Sequence, residues 1–178
     1  EWLTCYSKNV VFWMPAWDDD DQLTRDPQSE ISLIYYPSRE GLEDRVYRIK
    51  TERSGATSIP EPRTTHQVSN LEVLSQDGDK IELRFNWHTL SHRYQKTSSY
   101  FGTSFYTLDV SGDAPLIERK TVILNNDYIH QNIHNFYLMT YNLQMKNFLS
   151  PSLLKNQLIH YLLPLLKNWC NQLQLLIP

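Results

Sequence analysis

Residues 80–126 read KIELRFNWHTLSHRYQKTSSYFGTSFYTLDVSGDAPLIERKTVILNN, and three segments of this stretch alternate apolar and polar side chains at period two. In the first segment the apolar positions are Ile81, Leu83, Phe85 and Trp87. The second segment covers residues 99–110 and the third covers residues 116–125. Because successive side chains of a strand point to opposite faces, this period predicts three β-strands with one buried face.

Turn signals flank these strands and predict antiparallel neighbours. Gln76-Asp77-Gly78-Asp79 precedes the first strand, and Ser111-Gly112-Asp113 separates the second from the third. Residues 92–98 carry no such signal, so we expect a looser connection there. The simplest product is an antiparallel meander that is long enough to curl, with the remaining chain covering one face.

The chain before the meander predicts two strands and one helix. Residues 10–14 form a short apolar run that ends at Pro15, and residues 31–36 form a second apolar run rich in β-formers. A helix is predicted over residues 38–53, since Ser38 is placed to cap it. Its apolar positions recur at i, i+4 and i+7, and they are Leu42, Val46 and Ile49.

Three other segments complete the prediction for this half of the chain. Residues 54–65 hold one glycine and two prolines and are expected to be a loop, and residues 66–74 resume as a strand. Residues 2–6 resemble the last turn of a helix whose beginning is missing. The four carboxylates of Asp18–Asp21 lack the staggered ligands and glycine turn of a calcium loop, so we expect a solvated loop.

Composition limits the partners and the compartment. A chain of 178 residues with 40% hydrophobic residues is enough for one domain with a true core. The net charge of −3 gives no electrostatic footprint for nucleic acid. The two cysteines, Cys5 and Cys170, belong to no partner motif, and neither a secretory signal nor a membrane-length apolar run is present. We therefore expect a cytoplasmic protein that does not bind membranes.

The composition changes after His130. All 20 Asp and Glu and 14 of the 17 Lys and Arg lie in residues 1–130. Residues 131–178 contain no Val, Ala, Asp, Glu or Gly, the five types whose codons all begin with guanine. We therefore divide the chain into a domain of residues 1–131 and an atypical tail of residues 132–178, which we interpret as frame-shifted or disordered.

A structural alternative for the tail is a helix that starts at Ser150-Pro151. It would carry an apolar stripe suited to a partner or a membrane surface: Leu153, Leu154, Leu158, Leu162 and Leu165. Pro164 would interrupt this helix.

The histidines and cysteines predict no metal site. His88 and His92 would lie about 13 Å apart on a strand, too far to share an ion. His66, His130 and His134 add no ligand spacing, and the chain has no Cys-x-His pair for a Rieske cluster. The glycines are scattered singly, which excludes a phosphate loop. We therefore predict no catalytic residue, no cofactor site and no metal site in this chain.

One enzymatic alternative stays open, a stand-alone isomerase or dehydratase with an acid and a base in a cone-shaped cavity. Six residues are candidates to line such a cavity: Asp109, Asp127, Tyr100, Tyr106, His66 and His88. A pocket that contains His88 or Asp109 beside a tyrosine would favour this hypothesis, and a cavity plugged by the aromatic rings would exclude it.

The chain has more Trp and Tyr than one small core usually needs. Such residues are favoured at interfaces, where they bury large area and keep a polar group accessible. A plain aromatic core is the alternative. As interface residues we select four aromatics near the first strands, which we expect to be exposed: Trp13, Trp17, Tyr35 and Tyr36.

Several blocks in order along the chain resemble one family. They are FWMPAW (12–17), EISLIYY (30–36), GLEDRV (41–46), RIKTERS (48–54), RFNWHT (84–89) and NDYI (126–129). Together they resemble the small (beta) subunit of aromatic-ring-hydroxylating dioxygenases, in the branch of the benzoate and anthranilate 1,2-dioxygenases. Members of the family end soon after the last block on a short strand, which residues 133–137 only echo.

The resemblance implies an α+β fold of the NTF2-like cone type, with N-terminal helices against a strongly curved, mostly antiparallel sheet. It also implies an α3β3 hexamer in which the large subunit holds a Rieske 2Fe-2S cluster and a mononuclear Fe(II). A separate reductase would supply electrons from NADH. The small subunit would be a scaffold without catalytic residues, in an enzyme that adds both atoms of O2 to a benzoate-type ring.

Overall fold

Six strands form one sheet in the computed structural model, which describes residues 2–50 and 62–126. A 3-10 turn spans Trp2–Cys5, and one α-helix lies between the second and third strands. The elements are β1 (Tyr6–Pro15), β2 (Ser32–Tyr36), α1 (Glu40–Lys50), β3 (Arg63–Asp77), β4 (Lys80–Arg93), β5 (Lys96–Asp109) and β6 (Leu116–Leu124).

The sheet is mixed, with the order β2-β1-β6-β5-β4-β3. The antiparallel meander predicted from the alternation is confirmed for β3 to β6. β1 joins the other edge of the meander by pairing parallel to β6, and β2 pairs antiparallel to β1. The predicted α+β class is therefore confirmed.

The pairing of β4 with β5 is the longest regular feature of the sheet. Its register runs without a shift from Lys80 opposite Asp109 to Arg93 opposite Lys96. Only Tyr94 and Gln95 connect the two strands, with φ angles of 50° and 60°. Two successive positive φ angles are typical of a type I′ hairpin turn. The prediction of a looser connection over residues 92–98 was therefore wrong. The sequence did not reveal the turn, because neither Tyr94 nor Gln95 is the Gly or Asn that usually marks a type I′ turn.

The helix packs over one end of the sheet. It begins at Glu40, whose backbone N–H donates to the Ser38 hydroxyl at 3.4 Å, so the predicted cap is present. Leu42 is completely buried in the core, and Val46 is half-buried. The side chain of Ile49 and the predicted continuation to Arg53 lie outside the described residues.

The third strand is longer than predicted. It begins at Arg63, inside the predicted loop, and reaches Asp77, inside the predicted turn. Gly78 and Asp79 alone form the connection to β4, and Gly78 has a φ of 54°. Asn70, with a φ of 51°, lies where the pairing with β4 shifts register. This bulge bends the strand and increases its twist.

The tight turn between β4 and β5 generates a stability prediction. Gln95→Gly removes the cost of a left-handed conformation for a side chain, and we expect the free energy of unfolding of the full chain to rise by about 0.5–1 kcal/mol. Gln95→Val lowers it by about 1 kcal/mol, because a branched β-carbon tolerates positive φ poorly. Urea unfolding followed by circular dichroism measures both.

The matched control is Asp79→Gly in the neighbouring turn, where no positive φ is relieved. That variant does not gain stability. An equal gain for Gln95→Gly and Asp79→Gly would contradict the assigned turn geometry.

Candidate interaction surface

The register of β4 and β5 separates two chemically different faces. The inner face carries completely or nearly buried side chains, among them Ile81, Phe85, Tyr106 and Leu108. The outer face carries the intervening polar and aromatic residues, and Phe101 is 45% exposed there. A functional group on this sheet therefore lies either within the core or on an open surface.

The candidates for an acid–base pocket are divided between these two faces. Tyr100 and Tyr106 are buried on the inner face, and the half-buried His66 lies on the same face beside the buried Thr89. His88 and Asp109 lie on the outer face, where the imidazole Nε2 of His88 is 2.8 Å from the hydroxyl of Ser99. Asp127 lies outside the described residues. Among the residues that the structure describes, the arrangement proposed to favour an independent enzyme, His88 or Asp109 in a pocket beside a tyrosine, is not formed.

Aromatic rings fill the inner face. Tyr6, Phe12 and Phe85 are among the largest fully buried side chains, and the rings of Phe85 and Tyr106 meet edge-on with centroids 5.1 Å apart. Edge-to-face packing of this kind stabilises a core beyond the area it buries.

Asp109 belongs to a surface ion network. Its carboxylate accepts from the ammonium of Lys80 at 2.9 Å, and Lys80 also pairs with Glu118. Hydrogen bonds from Ser111 and then from Lys80 hold the pKa of Asp109 well below its usual range. A carboxylate that stays ionised on a surface acts here as an ion-pair partner and not as a general acid.

Lys120 is a functional group that the sequence interpretation missed. It is completely buried, and its ammonium lies 5.1 Å from the ring centroid of Tyr106 and 5.5 Å from that of Phe12. Burial lowers its pKa to about 7. The alternation of β6 indicates this burial, because Lys120, Val122 and Leu124 occupy alternate positions of the strand and therefore lie on the same, buried face. The two rings provide cation–π contacts for the charged form.

The histidines that the structure describes are in hydrogen-bond contact with hydroxyl groups. His66 Nδ1 lies 3.0 Å from Thr89 Oγ1, and His92 Nδ1 lies 2.8 Å from Thr97 Oγ1. His130 and His134 lie outside the described residues. Within residues 2–50 and 62–126, no three His, Cys, Asp or Glu side chains come together as a metal-ligand set.

The four aromatics selected as interface residues are half-buried, so the expectation that they are exposed was wrong. Trp13 and Tyr35 are paired across β1 and β2, and the Trp13 indole donates to Ser32 Oγ at 2.9 Å. The Trp17 indole donates to the Leu124 carbonyl at 2.7 Å. Tyr36 packs on the core, where its hydroxyl accepts from Arg45 Nε at 2.8 Å. Their role at an interface stays a prediction.

A groove of about 520 Å³ opens on the outer face beside these tryptophans. Apolar side chains from β1, β5 and β6 form most of its surface, and residues 22–25 form one wall. We call it the outer groove and define it by Trp13, Trp17, Arg25, Phe105, Thr121 and Ile123.

The loop beside the outer groove is strongly acidic. Residues 17–30 contain six carboxylates and a single cation, Arg25. All of Asp18–Asp21 are exposed, so the predicted solvated loop is confirmed. Two of these carboxylates accept backbone hydrogen bonds within the loop, Asp18 from Asp19 N at 2.8 Å and Asp20 from Gln22 N at 3.0 Å. These carboxylates do not line the outer groove itself, and the charged residue that lines it is Arg25.

Within the described part of the chain, no helix has both the length and the apolar character needed to cross a membrane.

The architecture of the sheet and helix indicates the structural class of the protein. The mixed six-stranded sheet, with one helix packed against its edge strand β2, has the α+β architecture of the NTF2-like cone. The sequence profile described as "Ring hydroxylating beta subunit" matches residues 1–131. The chain belongs to this family of ring-hydroxylating beta subunits.

Similar proteins cover most of the chain. The benzoate 1,2-dioxygenase subunit beta of Acinetobacter baylyi is 60% identical over 138 residues, which are 78% of this chain and 81% of that protein. The toluate 1,2-dioxygenase subunit beta of Pseudomonas putida is 58% identical, over 77% of this chain and 84% of that one. The anthranilate 1,2-dioxygenase small subunit of A. baylyi is 35% identical, over 76% and 82% respectively.

A solved structure agrees with the fold. The crystal structure of the beta subunit of benzoate 1,2-dioxygenase from Burkholderia mallei matches with a TM-score of 0.62 and 56% identity. The match covers 75% of this chain and 81% of that one. The resemblance stated from the sequence blocks is therefore confirmed.

The half-buried His66 generates a prediction of pH dependence. Burial lowers its pKa to about 4 from 6.5, so the unfolded chain binds the proton more tightly. The stability that depends on neutral His66 is complete above pH 6.5 and is lost as the pH falls towards 4. After allowance for solvent screening, we expect the free energy of unfolding to fall by about 1 kcal/mol between pH 7 and pH 5 from this residue.

His66→Gln removes this component, and urea unfolding at the two pH values measures it. The matched control Thr65→Gln, at an exposed position of the same strand that carries no titratable group, keeps the wild-type slope. Equal slopes in wild type and His66→Gln would contradict the assignment to His66.

Proposed function

We propose that this chain is the non-catalytic small subunit of a Rieske non-haem iron dioxygenase that acts on benzoate-type acids. Its role is to hold catalytic large subunits together in an α3β3 hexamer. The observation that carries this proposal is the 60% identity to a benzoate 1,2-dioxygenase beta subunit over 81% of that protein. The packed rings of the inner face and the position of His88 and Asp109 on the outer face support a structural role rather than an independent active site.

The substrate class follows from the similar proteins. Relatives named for benzoate and toluate are 58–60% identical, whereas the one named for anthranilate is 35% identical. We therefore place the chain with enzymes of benzoate and its ring-substituted analogues. The assembled enzyme would add both oxygen atoms of O2 to the ring and give a cis-dihydrodiol from benzoate.

The cofactors belong to the partner in this proposal. A Rieske 2Fe-2S cluster needs two thiolates and two imidazoles, and the described residues hold a single cysteine, the buried Cys5. Cys170 lies outside the described residues. The donor set of the described residues therefore does not fit the cluster. We assign the cluster and the mononuclear Fe(II) to the large subunit, with electrons from NADH through a separate reductase.

The interface assignment is refined by the burial of the aromatics. Trp13, Trp17 and Tyr35 belong to the outer side of the sheet, and we propose that they contact the large subunit. Tyr36 packs against Phe12, with ring centroids 5.9 Å apart, so Tyr36→Ala would act through the core. We also propose that residues 1–131 are the assembling domain, that residues 132–178 are dispensable, and that the enzyme works in the cytoplasm.

Co-expression with a large subunit tests this function. Residues 1–131 and the full chain are each produced with the large subunit of a benzoate 1,2-dioxygenase and passed over a size-exclusion column with light-scattering detection. We expect both to elute with the mass of an α3β3 complex and to support benzoate-dependent O2 consumption when the reductase and NADH are supplied.

The control exchanges the partner for the large subunit of an anthranilate 1,2-dioxygenase, for which we expect weaker assembly. A small subunit that elutes alone beside the benzoate-type partner would contradict the proposal. Assembly of the full chain but not of residues 1–131 would contradict the dispensable tail.

A further inference from the structure

A small group of polar and aromatic side chains lies on the inner face of the sheet, on β3, β4 and β5. Thr89 is placed between His66 and Tyr100, because it is paired with one on each side. Trp87 occupies the next position of β4 on the same face. Thr89 is completely buried, Trp87 and Tyr100 are nearly so, and His66 is half-buried. We call His66, Trp87, Thr89 and Tyr100 the polar niche.

The indole of Trp87 presents a buried donor to this niche. The residue is 3% exposed, and among the described residues its Nε1 has no hydrogen-bond partner. Buried polar groups of folded proteins are nearly always hydrogen-bonded, because a donor that has lost water and gained no acceptor destabilises the fold. Trp87 Nε1 therefore marks a position for an acceptor that the described part of the chain does not supply.

Gly102 determines where this donor lies. A β-carbon at Gly102 would collide with the carbonyl oxygen of Ile123 and would lie 3.1 Å from Cζ2 of Trp87. Cζ2 is joined to Nε1 through one carbon atom, so the N–H edge of the indole lies over β5, the strand that carries Tyr100. The donor is thus held in place before any molecule binds, which lowers the entropy cost of binding.

The other groups of the niche are polar and uncharged. Burial lowers the pKa of His66 to about 4, so its imidazole is neutral at neutral pH and has one N–H donor. Its Nδ1 lies 3.0 Å from Thr89 Oγ1. Tyr100 adds a second hydroxyl group. The niche therefore offers hydrogen bonds to an oxygen or nitrogen atom without placing a charge beside it.

The cations of the inner face lie away from the niche. Lys120 is paired with Tyr106, which is four residues along β5 from Gly102 and hence about 13 Å away at roughly 3.3 Å per residue. The guanidinium of Arg93 is directed to the hairpin, where it lies 4.6 Å from the ring centroid of Tyr94. A buried carboxylate needs a charged partner, so an uncharged molecule fits the niche better than an anion does.

We propose that the polar niche binds a small uncharged aromatic molecule with a hydrogen-bond acceptor, such as an aromatic amide, aldehyde or phenol. The acceptor takes the N–H of Trp87. The ring of the molecule packs against Val68 and Leu124, which lie on either side of the Trp87–Gly102 pair and belong to the core. This ligand site is independent of the proposed function, because all of its residues belong to this chain.

Benzamide and benzoate test the chemistry of the ligand, because they share a ring and a shape and differ in charge. The isotope-labelled full-length chain is titrated with each, and the indole N–H signals are followed by NMR. The signal of Trp87 is assigned by its loss in Trp87→Phe. We expect benzamide to shift this signal saturably and benzoate to bind about tenfold more weakly. Acetamide, which has the acceptor and no ring, is also expected to bind about tenfold more weakly.

Two substitutions test the residues of the niche, with the Kd of benzamide measured by isothermal titration calorimetry. Trp87→Phe removes the donor and keeps an aromatic ring, and we expect it to raise Kd by about tenfold. Its matched control is Trp17→Phe, whose indole donates to a backbone carbonyl on the outer side. Tyr100→Phe removes one hydroxyl group, and we expect Kd to rise by about threefold. Its matched control is Tyr106→Phe on the same face of the same strand. Both controls should keep the wild-type Kd.

Other results would overturn the inference. Absence of any shift or heat with benzamide would mean that a buried water molecule satisfies Trp87 Nε1. Equal or tighter binding of benzoate would contradict the uncharged class of ligand. A wild-type Kd in both Trp87→Phe and Tyr100→Phe would place the bound benzamide elsewhere on the chain. Each of these results leaves the proposed function intact, because the large subunit takes no part in the measurement.

Discussion

The unbroken pairing of β4 with β5 is the constraint on which the rest of the molecule depends. Fourteen residue pairs keep one register, so each side chain on these strands is committed to one face. A slip by one residue would move the buried set to the surface and the polar set into the core. The two-residue turn at Tyr94-Gln95 fixes this register, although its backbone conformation is unfavourable for both residues.

The separation of faces explains why the fold suits a scaffold. The inner face is occupied by packed rings and by the buried Lys120, whereas His88 and Asp109 face outwards into hydrogen bonds and ion pairs. The outer face is anchored over long sequence distances, since Trp17 binds the carbonyl of Leu124 at the end of β6. The outer side of the sheet is therefore suited to recognition, through the exposed area of its aromatic rings and the negative charge of residues 17–30.

Local patterns in the sequence predicted the faces of β4 and β5 and the helix that carries Leu42. They did not predict the turn at Tyr94-Gln95, because the hairpin is imposed by the strands and not by a favourable turn residue. The parallel contact between β1 and β6 joins segments about 110 residues apart, and no local period encodes such a pairing. Residue types alone favoured exposure for Trp13 and Trp17, whereas their indole groups satisfy tertiary hydrogen bonds. The family itself followed from six matching blocks of sequence.

Hydrogen–deuterium exchange tests most directly whether the outer side of this sheet carries the partner. The chain would be compared alone and in complex with a benzoate-type large subunit. The account predicts slower exchange on assembly at the backbone amides of residues 18–25 and at β6 near Ile123, with no change in the hairpin at Tyr94-Gln95. Unchanged exchange at residues 18–25, with protection confined to other surfaces, would contradict it.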